Sequence, residues 1–264
     1  MKKTILHKIG RWSLWLVLAL FFLFCLQVTV LAFPQLIATN SVQSGTITLY
    51  YDGIHDTTIE LLAEEVEQRL RASGYYDPNR SDRVYYIRNQ TAYNVLARLA
   101  LVTPLAQGFN LSVLGNSFVC ETRVSALASR SGGLPKFSIF EGDPAHTMAH
   151  EVGHQYMIDR IGRSMWRRLP HWKQEGFPEY VANIGNIRKD SLATLPHRIA
   201  VLNDNHPWGG EYGWDRVHYE AGLLVEFLLD IRHYSIEDIV ADSVTLWETH
   251  DAMLEWSHTL HQGT

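Results

Sequence analysis

The chain has 264 residues, of which 46% are hydrophobic, with 23 Lys+Arg, 28 Asp+Glu and 13 His, for a formal net charge of −5. That supports a substantial core in one large domain or two small ones. Residues 1–33 hold four of the basic residues and none of the acidic ones, so the remainder sets 19 basic against 28 acidic residues, a net −9 that argues against nucleic acid as a partner.

The first element is an apolar helix. Lys2, Lys3, Lys8 and Arg11 form a basic start, and Trp12 to Ala32 then runs 21 residues without a charge. As a helix this stretch spans about 31 Å, roughly the hydrocarbon thickness of a bilayer. Val30-Leu31-Ala32 offers a small-residue cleavage site, but a signal h-region is usually only about 7–15 residues long. An uncleaved signal anchor over residues 1–33 is therefore favoured over a cleaved signal peptide. In either case the basic flank stays cytoplasmic, and the rest faces outward. Cys25 lies inside the apolar stretch, which leaves Cys120 alone in the exported part and excludes a disulfide within it.

Residues 34–45 read as a linker and 46–264 as one domain. "TITLYY" (Thr46–Tyr51) is β-branched and aromatic and predicts a strand. "DTTIELLAEEVEQRLRASG" places Ile59, Leu62, Ala63, Val66 and Leu70 on one helical face. Asp56 or a threonine can cap this helix, and Gly74 can end it. "RVYYI" (Arg83–Ile87) predicts a second strand and "TAYNVLARLAL" a second helix. "SFVCETRV" and "KFSIF" (Lys136–Phe140) predict further strands. From Pro144 onward the pattern is almost entirely helical. The expected class is α+β, a small mixed sheet packed on a mainly helical lobe.

The helical part opens on "HTMAHEVGHQYM", His146 to Met157. His150 and His154 are four apart, so their side chains lie one turn apart on one face. Two imidazoles so placed can converge on one zinc ion. Glu151 lies about 100° round the helix, able to reach a water at the metal without ligating the metal itself. "HEVGH" thus matches H-E-x-x-H, a signature of zinc hydrolases. His146 stands eight residues before His154, about 12 Å along the axis. It is read as a polar residue of the first turns or the cleft, not as a ligand.

A catalytic zinc takes a third protein ligand from elsewhere. The metzincin pattern needs glycine and histidine where Met157 and Arg160 stand, so that class is excluded. Instead "HWKQEGFPEYVAN" (His171–Asn183) follows. Glu175 is assigned as the third ligand. Glu179, one turn on, can accept a hydrogen bond from a ligating histidine's second nitrogen.

"HEVGH", "WKQEGFPEY" and "HYEAGLLVEFLL", in this order, resemble the gluzincin superfamily of zinc peptidases, over about residues 135–230. The nearest flavour is the aminopeptidase-N-like branch with a minimal catalytic domain, in which the third ligand sits in a W-x-x-E-G-F-type segment that Glu175 matches. The resemblance implies a zincin-like fold and a tyrosine on the oxyanion of the tetrahedral intermediate; Tyr219 in "YEAG" is the matching residue. Tyr212 and His206 are alternatives. Two departures stand out: Ala221 replaces the branch's lysine, and no G-x-M-E-N-type segment precedes the zinc helix. The second removes the main ground for a preference for free N-termini.

The expectation is a membrane-anchored, extracytoplasmic, zinc-dependent peptidase acting on a peptide or protein substrate. Metal would sit on His150, His154 and Glu175, with Glu151 as base and Tyr219 as electrophilic helper. The competing reading is a catalytically degenerate, membrane-tethered zinc-binding or interaction domain. A membrane-embedded protease is disfavoured, because the H-E-x-x-H helix is too polar to lie in a bilayer.

Overall fold

The computed structural model describes residues 2–54, 57–124, 143–187, 194–203 and 213–262. Among these, five strands form one mixed sheet in the order β1-β2-β3-β5-β4. They are β1 (Asn40–Ser44), β2 (Ile47–Tyr51), β3 (Asp82–Ile87), β4 (Gly108–Leu111) and β5 (Asn116–Cys120). The central strands β2, β3 and β5 run parallel, while β1 and β4 are antiparallel additions at the two ends.

The helices are α1 (Lys2–Ala32), α2 (Thr57–Ala72), α3 (Gln90–Leu99), α4 (Pro144–Ile161), α5 (Arg163–Trp166), α6 (His171–Ile187), α7 (Leu195–Asn203), α8 (Gly213–Glu226), α9 (Ile236–Ile239) and α10 (Leu246–Gln262). A wider turn, Phe227–Ile231, prolongs α8. The architecture is α+β: a five-stranded sheet with a mainly helical lobe, and one apolar N-terminal helix that is either a signal sequence or a single membrane span.

Alternation along the strands gives the sheet two buried faces. Ile47, Leu49, Tyr51, Val84, Tyr86 and Val119 turn to α2 and the helical lobe. Tyr85, Ile87, Phe109, Phe118 and Cys120 turn the other way, onto α3 and the end of α1. On that second face Tyr85, Phe118 and Phe109 stack in series, with ring centroids 5.1 Å and 4.7 Å apart.

Three sequence expectations need revision. Part of the stretch read as a linker is strand: Asn40–Ser44 pairs with β2 through a tight turn at Gly45, whose φ of +52° suits glycine. Its alternating half-exposed polar residues carry no apolar signal. The strand expected over "SFVCETRV" ends at Cys120, and residues 121–124 are helical. Strand β4 was not foreseen, because glycine and asparagine dilute its apolar pattern. The strand expected at Lys136–Phe140 lies outside the described residues.

Helix α4 runs through the middle. Asp143 caps it, accepting from the N–H groups of Ala145 and His146, and Pro144 fits its first turn. Nearly all of Ala145–Ile158 is buried, so this helix is not a surface amphipath. The buried guanidinium of Arg69 in α2 ties the cap to α6: it pairs with Asp143 and donates from Nη1 to the Ala182 carbonyl at 2.8 Å.

Candidate metal centre

Helices α4, α6 and α8 bring the site together, and glycines set how closely they pack. A Cβ on Gly153 of α4 would stand 2.8 Å from the Pro178 Cα of α6. One on Gly176 of α6 would stand 2.5 Å from the Ala221 carbonyl oxygen of α8, and one on Gly222 would stand 2.9 Å from the Glu179 Cβ. The three backbones therefore approach more closely than any larger residue at these points permits.

Across the first contact, His150 Nε2 and His154 Nε2 each stand 3.3 Å from Glu175 Oε2. That is a little long for an N–H···O hydrogen bond, which runs about 2.7–3.2 Å. It is the separation of tetrahedral ligand atoms: with zinc bonds of about 2.0–2.2 Å, such atoms lie roughly 3.3–3.6 Å apart. The donor set, two imidazoles and a carboxylate, suits zinc. The His154 Nδ1 is buried and has no hydrogen-bond partner among the described residues. The donor chemistry of His150, His154 and Glu175 and the two 3.3 Å separations are what fit a divalent ion.

Glu179 is the hub behind them, with only 1% of its surface exposed. Its Oε2 lies 3.0 Å from His146 Nε2 and 3.2 Å from Asn183 Nδ2. Its Oε1 lies 3.1 Å from His218 Nδ1 and also 3.1 Å from His150 Nδ1, the latter off a good hydrogen-bond direction. One buried carboxylate thus hydrogen-bonds His146 and His218 and lies against the ring of His150.

The electrostatics follow. Burial works against charge on Glu175 and Glu179. The imidazoles outweigh it, with His154 foremost at Glu175 and His146 foremost at Glu179, and hold both carboxyls well below the usual range. Burial likewise opposes charge on His150, but Glu179 and Glu175 reverse it and push that ring upward. The negative environment that favours a proton there also favours a metal cation. Glu151 differs: burial pushes its carboxyl up, and His154 and His150 only partly offset this. Glu151 is 7% exposed and lies against β4, where a Cβ on Gly108 would come within 2.7 Å of its Oε1.

Among the residues singled out from sequence, His150, His154, Glu175 and Glu179 are together, with Glu151 beside them. His146 joins through Glu179 rather than through the position of an ion. Tyr219 is not brought to the cluster by its hydroxyl, which donates to the Arg198 carbonyl at 2.9 Å in a buried pocket lined by Glu226. The neighbouring His218, about 100° round α8, faces the cluster instead. Its Nδ1 is 3.9 Å from Glu175 Oε2, and its ring centroid is 5.6 Å from that of His150. Its signal in the sequence was a histidine adjoining the matched tyrosine. At the rim, His171 Nε2 reaches within 4.0 Å of Glu175 Oε1. Tyr212 and His206 lie outside the described residues. The cluster is a possible metal site, and donor atoms of His150, Glu175 and His218 all lie within 4.8 Å of one another. No family model matches the chain, and no curated protein matches it.

Proposed function

We propose that the chain is a zinc-dependent peptidase that hydrolyses peptide bonds on the outer side of a membrane. The observation that carries this reading is the approach of His150 Nε2 and His154 Nε2 to the same Glu175 Oε2, 3.3 Å from each, with the buried carboxyl of Glu151 alongside. A zinc ion held by those three residues would supply Lewis acidity toward a carbonyl and acidify a water. Glu151 is the base that takes the proton from that water and returns it to the leaving amine. Its upward-shifted carboxyl holds a proton more readily than an exposed one, which suits a group that must both accept and release a proton. Glu179 fixes the ring orientations of His150 and His218.

His218 takes the electrophilic part that the resemblance assigned to Tyr219. Glu179 accepts from Nδ1, so donation from Nε2 toward negative charge developing on the substrate oxygen requires the ring in its imidazolium form. Strand β4 ends the sheet among the described residues, and Gly108 lets it pass close to Glu151. An extended peptide added along that edge would carry its backbone past the base.

One observation favours a second reading. His218 is close enough to join His150 and Glu175 in a ligand set, which would close the metal site and make it structural. The test uses the full chain in mild detergent, with zinc analysis and peptide-library hydrolysis with and without chelator. On the peptidase reading, Glu151→Gln keeps its zinc and loses roughly 10²–10⁴-fold in rate. His218→Ala also keeps its zinc and loses about 10²–10³-fold. Zinc loss in His218→Ala, with no chelator-sensitive hydrolysis by the parent, establishes the structural reading instead.

A further inference from the structure

Two long stretches of the chain carry no charge: Trp12 to Tyr51, and Leu99 to Cys120. The fold brings them to the same place. The side chains of α1 are exposed from Trp12 through Leu26, and contact with the domain begins at Gln27. Gln27 Nε2 donates to the Leu99 carbonyl, and the fully buried Asn116 donates from Nδ2 to the Leu31 carbonyl at 2.9 Å. Leu31 belongs to the same buried cluster as Ala38, Tyr85, Tyr93 and Phe118. The last turns of α1 are therefore part of the folded domain. Cleavage after Ala32 would strip Leu31 from that cluster and take the acceptor from Asn116.

Around this exit point the domain leaves apolar side chains outside. Phe33 and Leu36 follow α1 directly and are 58% and 76% exposed. Leu101 is 90% exposed and Val113 is 73% exposed. Each sits between residues that turn inward onto the Leu31 cluster: Leu99, Ala100 and Val102 around the first, Leu111 and Leu114 around the second. Leu101 also has a φ of +60°, at the end of α3 where glycine is the inexpensive choice. The turn carrying Val113 is tied by two cations: Arg83 donates to the Leu114 carbonyl, and Arg163 donates to Ser112 Oγ at 2.8 Å. Apolar tips backed by guanidinium groups are the composition of a lipid interface.

Length decides how deep this face must lie. If Gln27–Ala32 belongs to the domain, Trp12–Leu26 is left to cross the bilayer, and at 1.5 Å per residue it covers about 22 Å. The hydrocarbon core is about 30 Å thick, leaving roughly 8 Å to be made up. Interfacial side chains sink about 5–10 Å. We propose that α1 is a retained membrane span and that Phe33, Leu36, Leu101 and Val113 are immersed in the outer lipid interface, so that the domain rests on the bilayer at a fixed height.

The test is a depth measurement on the full chain in vesicles of phosphatidylcholine with one quarter phosphatidylglycerol. In a Cys25→Ala background, with the buried Cys120 left in place, Leu101→Cys, Val113→Cys and Trp247→Cys each receive an environment-sensitive fluorophore. Trp247 is 74% exposed on α10 and is the aqueous control. The expected result is blue-shifted emission at positions 101 and 113, quenched by nitroxide-bearing lipid several-fold more than at 247. Water-like emission at 101 and 113 overturns the proposal. So does shielding that ignores nitroxide lipid but rises with protein concentration, which would mark a contact between two copies. Recovery from membranes of a mature chain lacking residues 1–32 also overturns it.

Discussion

Replacing Gly176 by alanine tests whether helix spacing sets the metal geometry. In the middle of an ordinary helix this change stabilises, by up to about 1 kcal/mol, because alanine loses less backbone freedom than glycine. Here the new Cβ would lie 2.5 Å from the Ala221 carbonyl oxygen and 2.6 Å from Val225 Cγ2. Ordinary contact begins at 3.4 Å, so α6 and α8 must separate by about 0.9 Å. Helix α6 cannot retreat the other way, since Gly153 already meets Pro178 on that side. The strain therefore falls on Glu175, the residue next to the substitution. Metal sites tolerate about ±0.2 Å in ligand distance, well under the displacement required. The expected outcome is a loss of about 1–3 kcal/mol in stability and roughly 10–100-fold in zinc affinity. Competition titration against a chromophoric chelator and thermal unfolding of the metal-free chain measure the two effects separately. A Gly176→Ala protein with raised thermal stability and unchanged zinc affinity would refute the reasoning.

Glu179→Gln replaces an acceptor-only hub with a group that has one acceptor and one donor end, so at least one of His146, His150 and His218 meets the wrong partner. Zinc affinity should fall about 10–100-fold, read by the same titration. Arg198 and Glu226 form a buried pair behind the site, Nη1 to Oε2 at 2.6 Å. Burial nonetheless leaves the Glu226 carboxyl above its usual range, with Arg198 opposing the shift. A carboxyl raised on folding contributes stability that is present below its unfolded pKa and lost as pH rises through the folded one. Arg198→Met removes the opposing cation and extends that loss to higher pH. Urea unfolding should therefore show a larger deficit at pH 8 than at pH 5, approaching about 3–5 kcal/mol. An equal deficit at both values would show that Glu226 is not the group left unpaired.

Much of the site was legible because it is local. The spacing of His150 and His154, and of Glu175 and Glu179, is set by the helical repeat, which any amphipathic or buried helix obeys. The α+β class and the apolar N-terminal helix were legible for the same reason, since alternation, helical periodicity and an uncharged run are properties of neighbouring residues. Contacts between elements were not. Nothing near His146 in sequence shows that Glu179 will reach it from 33 positions away. On α8, Tyr219 and His218 differ by one position. Which of them faces the cluster is set by the rotation of the helix, and that rotation is settled by how Gly222 packs on Glu179 and where the Tyr219 hydroxyl finds the Arg198 carbonyl. Strand β4 lacks a strong pattern of its own and exists because β5 offers it an edge. The docking of the last turns of α1 against Asn116 and Leu99 likewise depends on residues far along the chain. Short-range geometry selects the chemical groups, whereas their meeting depends on close packing between helices, where a shift of less than 1 Å decides the outcome.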